Sequence, residues 1–129
     1  MFNTRILNPA VLSLLAQVRH TNTLVIADRG FPCYPRVETV DLSLMNDVPT
    51  VLQVLAALRP DFTIAQAYMA REFKKANDTH TRMRYAQGLA GVVVRFEPHV
   101  NLKLRVPNAI GLIRTGDMTQ YGNVVLVSG

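Results

Sequence analysis

The sequence has 129 residues, no tryptophan and a single cysteine, Cys33. One cysteine cannot form an internal disulfide, which favours a reducing compartment and predicts a cytoplasmic protein. No apolar run reaches the roughly 18 residues that a membrane-spanning helix needs, so no membrane partner is expected. The apolar segment near the N-terminus is broken by Asn8 and Pro9 and lacks a small-residue cleavage site, so we predict no secretory signal.

The motifs of several large enzyme classes are also missing. The one cysteine and three scattered histidines form no CxxC or HExxH spacing, so we predict no metal site. There is no P-loop, no GxGxxG and no GxSxG, and no pair of carboxylates stands out as glycosidase-like. These absences leave the corresponding metal, nucleotide and hydrolase chemistries poorly supported.

Positive charge is in excess, with a net charge of +5. A short basic stretch contributes much of it: Arg71, Lys74, Lys75, Arg82 and Arg84. Such a stretch could bind a nucleic-acid backbone, but no aromatic residues alternate with the basic ones as a stacking platform requires. We therefore favour a solvated helix face over a nucleic-acid site, and an anionic small substrate is also compatible with the charge.

Apolar periodicity predicts helices that alternate with strands. Helices are expected over 8–20, 48–58, 77–89 and 98–105, and strands over 23–27, 36–42, 91–96, 109–114 and 123–128. Asn8 and Pro9 are typical of a helix start, and Asn77 or Asp78 would begin the third helix. Residues 62–75 fit a strand, a helix or a strand running into a helix. The alternation predicts one α/β layer domain over 1–129 with a mixed or largely parallel sheet.

His20 and Asp28 stand at either end of the strand predicted over 23–27. Five residues in a strand separate its ends by roughly 16 Å, so the two side chains cannot touch if the segment is straight. They would meet only if the chain folded back, or if one came from a neighbouring subunit. From the pattern alone, a histidine at a helix C-terminus and an aspartate in a turn are the favoured interpretation.

Three more polar residues lie at predicted strand ends, where ligands of α/β sheets bind. His99 opens a short helix, and Tyr121 and Asn123 flank Gly122 just before the last strand. Hydroxyl and amide groups that both donate and accept hydrogen bonds would suit the hydroxyls of a sugar. Taken singly, an exposed histidine, a half-buried tyrosine and a turn asparagine explain these residues better than function does.

Four segments taken together resemble a known family. The N-terminal "ILNPAVLSLLAQVRHTNTLVIADRGFP" is similar to the opening of the D-ribose pyranase and L-fucose mutarotase family. "DVPTVLQVL" resembles a helix of its ribose branch, and "FEPHVNLK" resembles its second histidine segment. "IRTGDMTQYGNVVLVSG" resembles the closing motif, in which Tyr-(Ala/Gly)-Asn precedes the last strand. The resemblance runs almost end to end and is weakest over 60–92.

The resemblance implies a three-layer α/β/α fold, a cofactor-free sugar-ring isomerase, and a role for six residues. His20 matches the catalytic histidine. The implied sugar-binding residues are Asp28, His99, Tyr121, Asn123 and, less closely matched, Lys103. It also implies a homo-oligomer, a decamer built from pentameric rings, with each site where adjacent subunits meet. Side chains from two chains would then complete one site.

Three positions depart from the family pattern. Asn22 stands where aspartate is usual, Arg19 where glycine precedes the histidine, and Arg29 where alanine is common. "YGN" is the spelling of the fucose branch, whereas "DVPTVLQVL" leans to ribose. These departures leave the sugar open, and Arg29 could favour an acidic or phosphorylated one or could face solvent.

Ring opening of an aldose removes a proton from the anomeric hydroxyl and delivers one to the ring oxygen. Histidine can do both near neutral pH, so His20 is the expected acid/base group, with Asp28 orienting it or binding sugar. The hypothesis is an isomerase that exchanges pyranose and furanose forms or anomers of a free monosaccharide. The alternative is a sugar-binding or regulatory protein of the same fold that has lost turnover.

Overall fold

The computed structural model describes residue 1 and residues 3–129, and it forms an α/β domain of six strands and five α-helices within those residues. The helices are α1 (Pro9–Gln17), α2 (Val51–Leu58), α3 (Glu72–Ala76), α4 (Thr79–Gly88) and α5 (His99–Arg105). The strands are β1 (Thr23–Ala27), β2 (Glu38–Asp41), β3 (Ile64–Ala70), β4 (Val93–Glu97), β5 (Gly111–Arg114) and β6 (Val124–Ser128). Short 3-10 turns follow α2 at Arg59–Asp61 and α5 at Val106–Asn108.

The six strands form one sheet in the order β2-β5-β1-β6-β3-β4. β6 runs antiparallel to both of its neighbours, whereas the β1–β5, β2–β5 and β3–β4 pairs are parallel. The predicted mixed, largely parallel sheet is therefore confirmed. Because β6 is antiparallel to β1, the residues just before β6 lie beside the residues just after β1.

Helices cover both faces of the sheet, which confirms the three-layer α/β/α fold. Leu14 of α1, Leu55 of α2 and Tyr85 of α4 are buried in the cluster on one face. Leu102 of α5 and Val106 are buried on the other, against alternate residues of the same strands. Burying each such aliphatic side chain stabilises the fold by about 1.5–3 kcal/mol, and β1 is apolar throughout because it is covered on both faces.

Most predicted elements are present, with shifted ends. The helix predicted over 8–20 begins as expected, since the Asn8 side chain accepts from the Val11 N–H at 3.0 Å. It ends at Gln17, three residues early, because Val18 is extended and the Arg19 guanidinium donates to the Ala16 carbonyl at 2.6 Å. The interpretation of a histidine at the helix terminus was therefore wrong.

Two alternatives left open by the sequence are decided by the structure. Residues 62–75 contain β3 followed by α3, so the strand running into a helix is the correct choice. Asp78, rather than Asn77, begins α4, because its carboxylate accepts from the Thr81 N–H at 2.8 Å. Asn77 has a different role at the candidate site.

Candidate functional site

Three segments meet at the edge of the sheet where β1 ends. Asp28 follows β1, Asn123 precedes β6 and His99 begins α5. The buried Asn123 side chain accepts from the Asp28 backbone N–H through Oδ1 at 2.7 Å, which joins the first two segments. This contact exists because the antiparallel β6 pairs its first residue, Val124, with Ile26 near the end of β1, so the residues just beyond the pair lie side by side.

Asp28 is a half-buried carboxylate in this cluster. Its Oδ1 accepts from the Gly30 N–H at 2.9 Å. Burial raises the pKa of Asp28 above its ordinary value of 3.8, and the negative charge of Asp117 raises it further. Hydrogen bonds from Gly30 and Asn123 and the charge of His99 oppose this rise in pKa. A desolvated carboxylate of this kind binds hydroxyl donors strongly, since they replace the water that it has lost.

The His99 imidazole lies near enough to Asp28 for each residue's charge to shift the other's pKa. Its backbone N–H donates to both carboxylate oxygens of Glu72, at 3.0 and 3.1 Å, which fixes the start of α5. Its ring lies edge-on to Tyr121, with ring centroids 5.0 Å apart, and 6.3 Å from Phe31. Among the described residues its buried Nε2 has no hydrogen-bond partner. An unpartnered buried ring nitrogen is a position for a ligand hydroxyl.

Lys103 lies on the same side of α5, one turn after His99. Burial is the larger cause, and the charge of Lys103 the second, of a His99 pKa below its ordinary value of 6.5. The charges of Glu72 and Asp28 oppose this fall in pKa. The imidazole is therefore neutral at pH 7, so it can donate to or accept from a sugar hydroxyl.

Tyr121 stands at the rim of the cluster, with 36% of its surface exposed. Its backbone is in the left-handed region, with φ of 55°, where the chain turns between Thr119 and β6. The Asn77 side chain donates to the Gln120 carbonyl at 2.9 Å and so fastens this turn to the α3–α4 junction. A non-glycine residue held at positive φ marks a turn that its surroundings hold in place.

His20 lies at the opposite end of β1, and the structure does not bring it to the other five predicted residues. It is exposed, and its Nδ1 lies 2.8 Å from the Gly129 backbone oxygen. The turn that carries it is bonded to the end of β6, through the Thr21 N–H to the Ser128 carbonyl at 2.9 Å. With Nδ1 donating to Gly129, the Nε2 lone pair points away from this contact and is available as a base.

Two acidic residues of the cluster were not predicted from the sequence. Buried Asp117 accepts from the Val51 N–H at 2.8 Å and, through its other oxygen, from the Thr119 N–H at 2.8 Å. It therefore joins the start of α2 to the turn that carries Tyr121. Its position in the "TGD" of the closing motif was a usable signal. Glu72, which holds His99, carries no such signal, because its partner is distant in sequence.

The three departures from the family pattern have structural roles. The Asn22 side chain accepts from the Arg19 N–H at 2.8 Å, and Arg19 itself caps α1, so both residues shape the His20 turn. Arg29 is exposed and donates to the Asn46 side chain at 2.8 Å. Its guanidinium is thus held by the loop before α2, beside the cluster.

The basic stretch over 71–84 lies at the surface of the structure. All five basic residues of 71–84 are exposed, as a solvated face predicts, and so is His80. Lys74 lies over the Phe96 ring, 3.9 Å from its centroid, and Arg82 donates to the Lys74 carbonyl at 3.1 Å. Within residue 1 and residues 3–129, no group of three His, Cys, Asp or Glu side chains could hold a metal ion. No helix in that part of the chain is long and apolar enough to cross a membrane.

Comparison with known proteins extends over the whole chain. The model of the RbsD / FucU transport protein family matches residues 1–129. A protein named D-ribose pyranase from Geobacillus kaustophilus is 39% identical over 130 residues, covering 100% of this chain and 94% of that protein. Such identity over nearly the full length of both proteins is what members of one family show.

Two solved structures are similar. Bacillus subtilis RbsD, solved in complex with D-ribose, superposes with a TM-score of 0.93 at 30% identity and covers 100% of this chain and 98% of its own. The fucose mutarotase of Streptococcus pneumoniae, solved with L-fucose, gives a TM-score of 0.80 at 16% identity, over 95% and 92% of the two chains. The second likeness is one of fold alone.

Proposed function

The chain belongs to the RbsD / FucU transport protein family, and we propose that it is an isomerase that interconverts the pyranose and furanose rings of a free monosaccharide. D-ribose is the first substrate to test, since the relatives at 30–39% identity described above are a D-ribose pyranase and a ribose-bound protein. The observation that carries the proposal is the unpartnered Nε2 of His99 in the same cluster as the desolvated carboxylate of Asp28. We take the whole of 1–129 as one such domain, acting in the cytoplasm.

The site divides its work between binding and proton transfer. Asp28, His99, Tyr121 and Asn123 would hold the sugar hydroxyls, and the Lys103 ammonium would add a donor at one side. Hydrogen bonds fix Asp28 and Asn123, and the His99 and Tyr121 rings pack against each other, so these groups can orient a flexible open-chain aldehyde. No oxidation state changes during ring opening, so proton transfers alone complete the reaction.

His20 is the proposed acid/base group. Its Nε2 would accept the proton of the anomeric hydroxyl and return a proton to the ring oxygen. Closure with a different hydroxyl would reverse the steps and change the ring size. Such positioned acid–base catalysis is worth about 10²–10⁴-fold, on a reaction that already proceeds in water.

The distance between His20 and the rest of the site requires a second chain. Within one chain, β1 alone separates His20 from Asp28 by roughly 16 Å. We therefore propose that His20 of one subunit enters the site of the next. A closed ring provides such repeated contacts, and a decamer of two pentameric rings is the assembly we propose.

Exchange NMR on purified protein with D-ribose tests the activity. Faster exchange between pyranose and furanose resonances is expected, with loss of the acceleration in His20→Ala. His80→Ala is the matched control, since that exposed histidine on α4 lies in no part of the site. An unchanged exchange rate with ribose, fucose and other aldoses would contradict the proposal. Sugar binding without faster exchange would support the binding-only alternative.

A further inference from the structure

Tyr85, in α4, lies next to the turn that carries two residues of the proposed sugar site. It is buried in α4, and its ring packs on Phe73 of α3 with centroids 4.7 Å apart. Its hydroxyl points toward Thr119 and Gly122, in the turn that carries Tyr121 and Asn123. Among the described residues this buried hydroxyl makes no hydrogen bond of normal geometry, although the Thr119 side chain lies near enough to lower its pKa. Its closest relation to the turn is therefore one of packing.

Gly122, in this turn, packs against the Tyr85 hydroxyl. A Cβ atom added at Gly122 would overlap the Tyr85 hydroxyl oxygen and would lie 3.2 Å from the Thr119 side chain. The hydroxyl thus occupies the room that a side chain at this position would need. Alanine at this position therefore requires the Tyr85 side chain or the turn itself to shift.

The α3–α4 junction also contacts the turn over residues 119–123 through a second side chain. Asn77, between α3 and α4, donates to the Phe73 carbonyl and to the Gln120 carbonyl, each at 2.9 Å. The turn from 119 to 123 is therefore held by an amide at one end and rests on the Tyr85 oxygen at the other. It is also the turn in which Tyr121 is kept at positive φ.

We infer that Tyr85 is a positioning residue for the sugar site, whose hydroxyl requires glycine at 122 and sets the height of the Tyr121–Asn123 turn above Asp28. The inference rests on the proposed function, because it assigns Tyr85 a part in binding that same sugar. Burial and the charge of Asp117 raise the Tyr85 pKa, so the hydroxyl stays protonated over the working pH range.

A double-mutant cycle tests the inference. Gly122→Ala is expected to raise the KM for ribose by about tenfold or more, because overpacking a fixed backbone displaces it. Tyr85→Phe should have a smaller effect, since the ring still packs on Phe73. In the double variant the phenylalanine leaves room for the new methyl group, and KM should return to within about threefold of that of Tyr85→Phe.

Gly116→Ala is the matched control for the rescue. A Cβ at Gly116 would overlap the Met45 carbonyl oxygen, which belongs to the backbone and which Tyr85→Phe cannot move. Rescue of Gly122→Ala but not of Gly116→Ala by Tyr85→Phe is therefore expected. Equal KM in wild type and Gly122→Ala, or no rescue in the double variant, would overturn the inference.

A second readout separates this inference from the proposed function. The unfolding midpoints of the four proteins and their Asp28 and Asn123 amide resonances require no sugar. Tyr85→Phe is expected to restore the unfolding midpoint and the amide resonances of the Gly122→Ala variant, even if the protein accelerates no sugar exchange. Absence of that coupling, with ribose exchange intact in the wild type, would overturn the role of Tyr85 and leave the proposed function standing.

Discussion

Two inactive variants should restore each other's activity when their subunits are mixed. His20→Ala removes the proposed acid/base group, and Asp28→Asn removes the carboxylate at the other end of β1. Each variant alone is expected to be inactive, because each of its sites lacks one group. If the two groups come from different chains, a mixed assembly contains some sites with both.

The size of the recovery follows from the arrangement of the groups. A competent site needs His20 from an Asp28→Asn chain and Asp28 from a His20→Ala chain. In a random equal mixture each condition is met half of the time, so about a quarter of the sites are restored. The same fraction holds for any ring size, because it depends only on the pair of chains at each site. If one chain supplied both groups, no site would be restored.

The assay is ribose exchange NMR after the two variants are unfolded, mixed in varied ratios and refolded together. Activity should be greatest at the equal ratio and should fall symmetrically on both sides. Native mass spectrometry of differently tagged chains confirms that mixed assemblies form. Mixed assemblies without activity would refute a site shared between chains. Each variant refolded alone serves as the control.

Three further predictions concern single groups. Asp117→Ala leaves the Val51 and Thr119 N–H groups unpaired, which should lower the free energy of unfolding by about 2–6 kcal/mol in urea denaturation; a loss below about 1 kcal/mol would contradict this. The folded pKa of Asp28 lies above 3.8, and ribose affinity should fall as the pH drops through it, because the carboxylate becomes protonated. Over the same pH range the free energy of unfolding should rise, because the folded state binds this proton more readily than the unfolded state does. A pH titration of binding and of unfolding checks these opposite signs. His99→Ala should raise the KM for ribose by about tenfold, as the loss of a ligand hydrogen bond requires, and a circular-dichroism spectrum like that of the wild type is the control for folding.

The local elements of this fold could be predicted because each leaves its own pattern. The continuous apolar run of β1 and the capping residues Asn8 and Asp78 are such patterns. The place of β6 between β1 and β3 could not be predicted, because strand order depends on contacts between distant residues. That antiparallel strand is what brings Asn123 to Asp28.

The candidate site was predicted in outline from the resemblance rather than from periodicity. Asp28, His99 and Asn123 do lie together at one edge of the sheet. Two contacts around this site join residues that are distant in sequence. The Glu72 carboxylate accepts from the His99 N–H, and the Tyr85 hydroxyl packs against Gly122. Neither contact has a fixed spacing in sequence, so no motif could have indicated it.

The central place of β6 has a consequence for synthesis of the chain. β2, β5 and β1 form one parallel group and β3 and β4 another, and in the described sheet only β6 joins them. On the ribosome, both groups leave the exit tunnel before residues 124–128 do. Until these residues take their place, the two groups of strands have no strand to join them, and each has an uncovered edge. The sheet therefore closes only when β6 is added, and Asn123 reaches Asp28 only in that step.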